Sequence, residues 1–175
     1  VVQGRHYEFS IGEAFCLNSF DMIDETRCDP EHANFDSDYL GERLETCRAI
    51  FAQMCLGDDR RTKEQNGVLM DIVARVWQNH GRLGGADEVA DELRTMNYQS
   101  PTINTAAMSR AMLPYCSDGP YGAIFNGRNS LDLSNPFTVF ELAPLVQKKD
   151  LRGIIVTALF ALMDSKVTTD RSRRD

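Results

Sequence analysis

The stretch GPYGAIFNGRNSLDLSNPFTVFELAPL, from Gly119 to Leu145, brings turn residues, an apolar run and polar side chains together. Its glycines and proline at positions 119, 120, 122 and 127 interrupt the backbone too often for a long helix. Asn126 and Gly127 form a dipeptide that favours turns with positive φ. The first half of the stretch therefore predicts a structured loop.

A short strand is predicted after this loop. The run from Phe137 to Phe140 is aromatic and β-branched without polar alternation, which is typical of a strand buried on both faces. Glu141 then ends the run with a carboxylate, and sites tend to form at the carboxyl ends of strands in helix-covered sheets. Glu141 is therefore a candidate functional residue; the alternatives are a turn cap and a surface ion pair.

Most of the chain before this stretch has helical patterning. Apolar residues recur at helical spacing near residues 36–56, 62–80, 86–96 and 101–112. Gly57 supplies a stop for the first helix, and Thr62 with Gln65 forms a capping box for the second. Residues 36–116 are therefore predicted to form a compact all-helical subdomain.

The fourth of these helices is expected to begin at Pro101, because proline is well tolerated in the first turn of a helix. Its inward-facing residues are predicted to include Ala107 and Ala111, beside Met108 and Met112. The methionines are interpreted as core residues.

A last helix is predicted from Asp150, a suitable capping residue, to about residue 166. Its apolar residues cover nearly the whole circumference, so it should be covered on several sides. Within it, the segment LFALMD resembles an apolar strand that ends in a metal-binding aspartate. The segment contains no β-branched residue and continues the helical period, so a helix is favoured.

Composition limits the classes of function. A chain of 175 residues with a net charge of −7 and a pI near 5.0 suits one domain and argues against a general nucleic-acid binder. The five cysteines show no CxxC pair and no histidine-spaced cluster, so no zinc site is predicted. Their pattern favours a reducing, cytoplasmic setting, and no apolar run is long enough to span a bilayer.

The chain contains no complete active site. Patterns such as GxxxxGK[ST], GxGxxG, HExxH and GxSxG do not occur. Arg128 lies beside Gly127 in the predicted loop and is a candidate for contacting an anion; an exposed structural arginine is the alternative. Arg128 and Glu141 are the two candidate site residues, and no metal ligands are assigned.

Three segments resemble one known family. They are CLNSFDMI at residues 16–23, LPYCSDGPYGAIFNG at residues 113–127 and LDLSNPFTVFEL at residues 131–142. Their order along the chain resembles conjugative transfer ATPases of the TraC type, the large ATPases of type IV secretion systems. The more specific parts are a motif loop with Gly119, Tyr121, Gly122, Phe125, Asn126 and Gly127, and the segment from Phe137 to Leu142. Ser19 stands where the family pattern has proline.

The resemblance implies a predominantly α fold with a few short strands, formed by a helical insertion and part of a RecA-like P-loop α/β motor domain. Residues 1–35 would be a strand and loop remnant of the motor, residues 36–116 the all-helical insertion, and residues 117–175 the return to the motor. The piece would lie between the Walker A and Walker B motifs. The phosphate-binding loop is expected before it and the acidic strand that holds Mg²⁺ after it.

The resemblance also implies a function for the parent protein: ATP hydrolysis that powers pilus assembly and export of DNA or protein. ATP and Mg²⁺ are implied for the parent and no cofactor for this fragment, which is not expected to hydrolyse ATP. Its partners would be other subunits of a hexamer and secretion-channel components at the inner membrane, where the parent would be peripheral. Arg128 and Glu141 would lie near a nucleotide or a subunit boundary.

A second hypothesis is a freestanding helical module whose loop at residues 119–130 docks a protein partner.

Overall fold

A computed structural model describes residues 4–9, 15–57, 61–135 and 137–172. The structure is mostly helical, at 60%, with a few short strands, which confirms the predominantly α class. The first strand, β1, spans Arg5–Glu8. Three long helices follow: α1 (Tyr39–Leu56), α2 (Lys63–His80) and α3 (Ala86–Met96).

The ends of these helices follow local signals. Gly57 ends α1 with a φ of 69°, a value that favours glycine. The Thr62 hydroxyl accepts a hydrogen bond from the Gln65 backbone N–H at 3.1 Å, and the Gln65 side chain accepts one from the Thr62 N–H at 2.8 Å. The predicted capping box at the start of α2 is therefore confirmed.

The expected start of the fourth helix was wrong. Two short antiparallel strands, β2 (Gln99–Ser100) and β3 (Ile103–Asn104), form a hairpin with Pro101 in its turn. Helix α4 (Thr105–Met112) begins only after this hairpin, where the Asn104 side chain accepts a hydrogen bond from the Ala107 N–H at 2.9 Å. A local N-cap therefore prevailed over the proline signal.

The buried stripe of α4 also differs from the prediction. Met108 and Met112 are buried together with Thr105 and Ser109, whereas Ala107 and Ala111 are exposed. The buried positions lie three or four residues apart on one face, and the two alanines fall on the opposite side.

One hydrophobic core runs through the described residues. Its largest fully buried side chains come from the segment after β1, from helices α1 to α4 and from the last part of the chain: Phe9, Leu17, Phe20, Ile23, Ile50, Phe51, Leu69, Ile72, Leu93, Met112, Leu145 and Leu151. The Phe20 ring stacks on the Phe51 ring with centroids 5.5 Å apart. The segment at residues 15–18 has no regular secondary structure, and its four residues are buried.

A two-stranded parallel sheet pairs β1 with β4 (Thr138–Glu141). One face is covered, where the Tyr7 and Phe140 rings stack 5.9 Å apart. On the other face, Phe137 is 57% exposed and Val139 is 41% exposed. The prediction that this strand is buried on both faces was therefore wrong, because no described element covers its outer face.

The last helix, α6, spans Lys149–Ser172, so LFALMD is helical as predicted and Asp150 lies in the first turn rather than before it. The buried side of α6 packs against α1, where the Gln53 amide donates a hydrogen bond to the Thr157 hydroxyl at 3.0 Å. Phe160 on the other side is 64% exposed. None of the helices in the described ranges is long and apolar enough to cross a membrane.

Gly67 and Gly84 give a matched test of backbone effects. A Cβ on Gly67, inside α2, would meet no atom within 4 Å, so Gly67→Ala should raise the free energy of unfolding by about 1 kcal/mol. A Cβ on Gly84 would lie 2.6 Å from Val76 Cγ1, so Gly84→Ala should lower it. Urea unfolding measures both changes, and a destabilising Gly67→Ala would contradict the open helical environment.

Two thiols in α1 predict a pH dependence of stability. Burial raises the pKa of Cys47 and of Cys55 to about 12, against an ordinary value of 9.0. Above the ordinary value the unfolded chain loses thiol protons that the folded chain keeps, so the free energy of unfolding falls as pH rises. Each thiol should contribute a slope of up to about 1.4 kcal/mol per pH unit in that window.

Urea unfolding at intervals from about pH 8 to pH 10 measures this slope. Cys47→Ala should flatten it, whereas Cys28→Ala, which removes a half-buried thiol, should change it less. An unchanged slope in Cys47→Ala would show that its thiol does not stay protonated in the folded state.

Candidate functional site

Arg128 lies in an exposed loop that follows the short helix α5 (Gly122–Phe125). Its side chain is 69% exposed, and its guanidinium Nη1 is 3.8 Å from the Asp21 carboxylate Oδ1. The sequence prediction of a structured loop without a long helix is confirmed here. The arginine is therefore presented to solvent beside a buried acid.

The backbone on both sides of Arg128 is held by hydrogen bonds. The buried Asn18 amide donates to the Gly127 carbonyl at 2.9 Å and to the Gly84 carbonyl at 2.7 Å. The Asn129 amide donates to the Asn18 carbonyl at 3.1 Å. Gly127 has a φ of 110°, which a residue with a Cβ rarely adopts. The loop is therefore held in place on both sides of Arg128, at Gly127 and at Asn129.

Asp21 is the charged centre below the loop. Its side chain is only 6% exposed, its Oδ2 accepts a hydrogen bond from the Asn129 N–H at 2.8 Å, and its Oδ1 lies 2.8 Å from Arg82 Nη2. The Oδ1 contact is an ion pair without good hydrogen-bond geometry, since this oxygen has no hydrogen-bond partner among the described residues. Arg82 also donates to the Asp21 carbonyl at 3.0 Å.

The charges at this cluster do not cancel. Arg82 is close enough to neutralise Asp21, whereas Arg128 is farther away and mostly solvated. One positive charge is therefore left over on a loop whose backbone is fixed. A guanidinium in this situation is suited to contact a carboxylate or phosphate from outside the chain.

Several residues of the motif loop are needed for close packing of the backbone and the core. A Cβ on Gly119 would collide with the Leu113 carbonyl, and a Cβ on Gly122 would collide with the Cys116 carbonyl. Phe125 is buried and lies edge-on to the Tyr115 ring, with centroids 5.7 Å apart. These motif residues place one backbone segment directly against another.

Asn126 connects the motif loop to α3. Its side-chain oxygen accepts a hydrogen bond from the Asp87 N–H at 3.0 Å, in the first turn of α3. Its nitrogen donates to the Tyr115 and Gly122 carbonyls, each at 2.9 Å. The side chain is committed to these backbone groups, so in this structure Asn126 supports the fold.

Glu141 does not join the Arg128 cluster. It ends β4, and its Oε1 accepts a hydrogen bond from the Ala143 N–H at 2.8 Å. The turn-capping alternative therefore describes its contact in this structure. In the strand register Glu141 lies beside Glu8, so two glutamates are paired at the carboxyl ends of the parallel strands.

The roles of Asn18, Asp21, Arg82 and Asn129 are not predicted from the sequence. The segment at residues 16–23 contributes to the family resemblance, but its polar residues have no predicted role. The available signal was the presence of Asn18, Ser19 and Asp21 within an otherwise apolar segment, since buried polar groups need partners. Nothing in the local pattern identifies those partners.

Across the ranges that the structure describes, no three His, Cys, Asp or Glu side chains lie together in an arrangement that could hold a metal ion. No significant match to the chain is found among protein-family models, curated proteins or solved structures. Its function therefore has to be inferred from the geometry and from the sequence resemblance.

The Asp21 cluster predicts unequal effects of two substitutions. Asp21→Asn removes a buried carboxylate that accepts a hydrogen bond from the Asn129 N–H and pairs with the partly exposed Arg82, so it should lower the free energy of unfolding by about 1.5 kcal/mol. Arg128→Ala should change it by less than about 0.5 kcal/mol, because the arginine is exposed and its contact is long.

The exposed pair of Asp91 and Arg94, at 2.8 Å, supplies a matched control. Asp91→Asn should change the stability by less than about 0.5 kcal/mol in the same urea experiment. Equal effects of Asp21→Asn and Asp91→Asn would mean that burial of Asp21 does not make its charge important.

Proposed function

We propose that this chain is an internal part of a conjugative transfer ATPase of a type IV secretion system. The proposal assigns it the helical insertion of a RecA-like P-loop motor domain, together with adjoining strands. The parent would use ATP hydrolysis to power pilus assembly and the export of DNA or protein. The fragment by itself would not hydrolyse ATP.

The observation that carries the proposal is the parallel pairing of β1 with β4. The register joins Arg5 to Thr138 and Glu8 to Glu141, and helices α1 to α4 lie between the two strands in the chain. Parallel strands need a crossover connection, which is usually helical. A helical insertion between neighbouring strands of a parallel motor sheet would have this arrangement.

Exposed apolar side chains support a larger parent. Two-stranded sheets are at best marginally stable, and parallel sheets are usually covered on both faces. Here Phe137 and Val139 are exposed on one side of the sheet, and Phe160 is exposed on α6. We propose that further strands and helices of the motor cover them.

Arg128 is the residue to which we assign a role at a nucleotide or subunit boundary. Its charge is not needed to neutralise Asp21, and its loop is held by Asn18 and Asn129. Phosphoryl transfer by such motors often uses an arginine that stabilises the transferred phosphate. Glu141 is placed near the same boundary with less support, because its carboxylate already caps a turn.

The residues of this chain do not fit a complete ATP and Mg²⁺ site. They include no GxxxxGK[ST] loop. Among the described residues, no three His, Cys, Asp or Glu side chains lie together in a way that could hold a metal ion. ATP and Mg²⁺ are therefore assigned to other parts of the parent. Its partners would be like subunits of a hexamer and inner-membrane channel components, on the cytoplasmic side of that membrane.

The alternative of a freestanding interaction module has less support. Protein interfaces are often anchored by aromatic or other large side chains that fill a pocket on the partner. Ile124 and Phe125 of that loop are buried against the rest of the chain instead.

ATP turnover tests the proposal. The 175-residue chain should show no Mg²⁺-dependent phosphate release above background, and the protein encoded by the complete open reading frame should show it. In the complete protein, Arg128→Ala should lower turnover on the order of 10³-fold if the arginine stabilises the transferred phosphate.

Arg94→Ala in the complete protein is the control, because Arg94 is exposed and paired within α3. It should leave turnover unchanged. Clear ATP turnover by the 175-residue chain, or none by the complete protein, would exclude the fragment hypothesis. Equal losses in the two arginine variants would exclude the role of Arg128.

A further inference from the structure

A cleft lies between Tyr121 of the motif loop and the beginning of α6, and Arg128 does not line it. It has a volume of about 430 Å³. Small-molecule sites in proteins usually measure about 300–1,000 Å³. The cleft is therefore large enough for a small organic ligand.

One wall of the cleft is aromatic. Tyr115 and Tyr121 both line it, with ring centroids 5.7 Å apart and the ring planes inclined by 38°. Tyr115 is buried. The pKa of its hydroxyl is raised, mainly by burial and to a smaller extent by the nearby Asp150 carboxylate. The wall therefore offers the half-buried Tyr121 ring and a small part of Tyr115, whose hydroxyl is neutral.

The opposite wall is positively charged. Lys148 and Lys149 line it together with Asp150, which leaves one net positive charge. The Lys148 ammonium donates a hydrogen bond to the Tyr121 hydroxyl at 3.3 Å and lies 5.7 Å from the centre of that ring. An ammonium has three donors, so Lys148 can hold this position and still bind an anion.

The backbone of both walls is held in place by its own contacts. The Tyr121 N–H donates to the Pro114 carbonyl at 2.9 Å, which closes the loop on itself. Leu145 and Leu151, on either side of the two lysines, are anchored in the core. The backbone of the cleft therefore needs little ordering when a ligand binds, and the exposed lysine side chains supply the part that has to be ordered.

We propose that this cleft binds a small planar ligand that carries an anionic group. The ring packs against Tyr115 and Tyr121, and the anionic group contacts Lys148 and Lys149. Aromatic packing and charge-assisted hydrogen bonds then act on the two ends of one ligand. The site is independent of the proposed ATPase function, since it requires only residues of this chain.

Titration of the ¹⁵N-labelled chain with phenyl phosphate, benzoate and inorganic phosphate tests the site by NMR. Phenyl phosphate, benzoate or both should cause saturable shifts at the cleft residues, and their relative affinities identify the preferred anionic group. The better aromatic ligand should bind about fivefold more tightly than inorganic phosphate, because only it has a ring.

Four variants separate the two walls. Lys148→Gln should weaken binding about tenfold, and Lys63→Gln, which changes an exposed lysine of α2, should not. Tyr121→Leu should weaken binding of the aromatic ligand, whereas Tyr121→Phe keeps the ring and should retain most of it. The spectrum of each free variant shows whether it is folded.

Three results would overturn the proposal: no saturable shifts with either aromatic ligand, shifts spread over surfaces outside the cleft, or equal effects of Lys148→Gln and Lys63→Gln. None of them bears on ATP turnover by the complete protein, so failure of this site is distinguishable from failure of the proposed function.

Discussion

The amide of Asn18 is the contact on which the surrounding structure depends. It lies in the core and donates to the Gly84 and Gly127 carbonyls, while its oxygen accepts a hydrogen bond from the Phe20 N–H at 3.0 Å. Three segments that are distant in sequence meet at this side chain. Loss of the amide would leave carbonyl groups without partners, which is costly in a buried environment. This explains how a polar residue occupies the interior of a helical protein.

Two different surfaces follow from the way this region is packed. At one end of the motif loop, Arg128 projects from a backbone held by Asn18 and Asn129, above an Asp21 that Arg82 already neutralises. At the other end, the Tyr121 hydroxyl accepts a hydrogen bond from Lys148, and both residues line an open cleft. The glycines between them allow the backbone segments to approach each other closely. A rigid loop thus presents a cation at one point and a concave surface at another.

The sheet and α6 both leave apolar side chains exposed. The parallel pairing of β1 and β4 joins distant parts of the chain, but only the face with Tyr7 and Phe140 is covered by described residues. Val139 and Phe160 expose apolar surface of the kind that proteins usually bury in an interface. The motor-domain proposal accounts for both features, because it supplies elements that cover them.

The helices were predictable because their signals are local. Gly57, the capping box of Thr62 and the limits of α3 depend on residues within a few positions of one another, and the structure agrees with them. The predicted start of α4 was wrong because two local signals, Pro101 and the Asn104 cap, competed. The partners of Asp21 and the exposure of Val139 had no local signal, because they depend on contacts with segments far away in the chain. The sequence by itself determined the helical framework and identified Arg128 as a candidate site residue. Only the tertiary structure decided that the charge of Arg128 is not neutralised by Asp21, because Asp21 pairs with Arg82, which is distant from it in sequence.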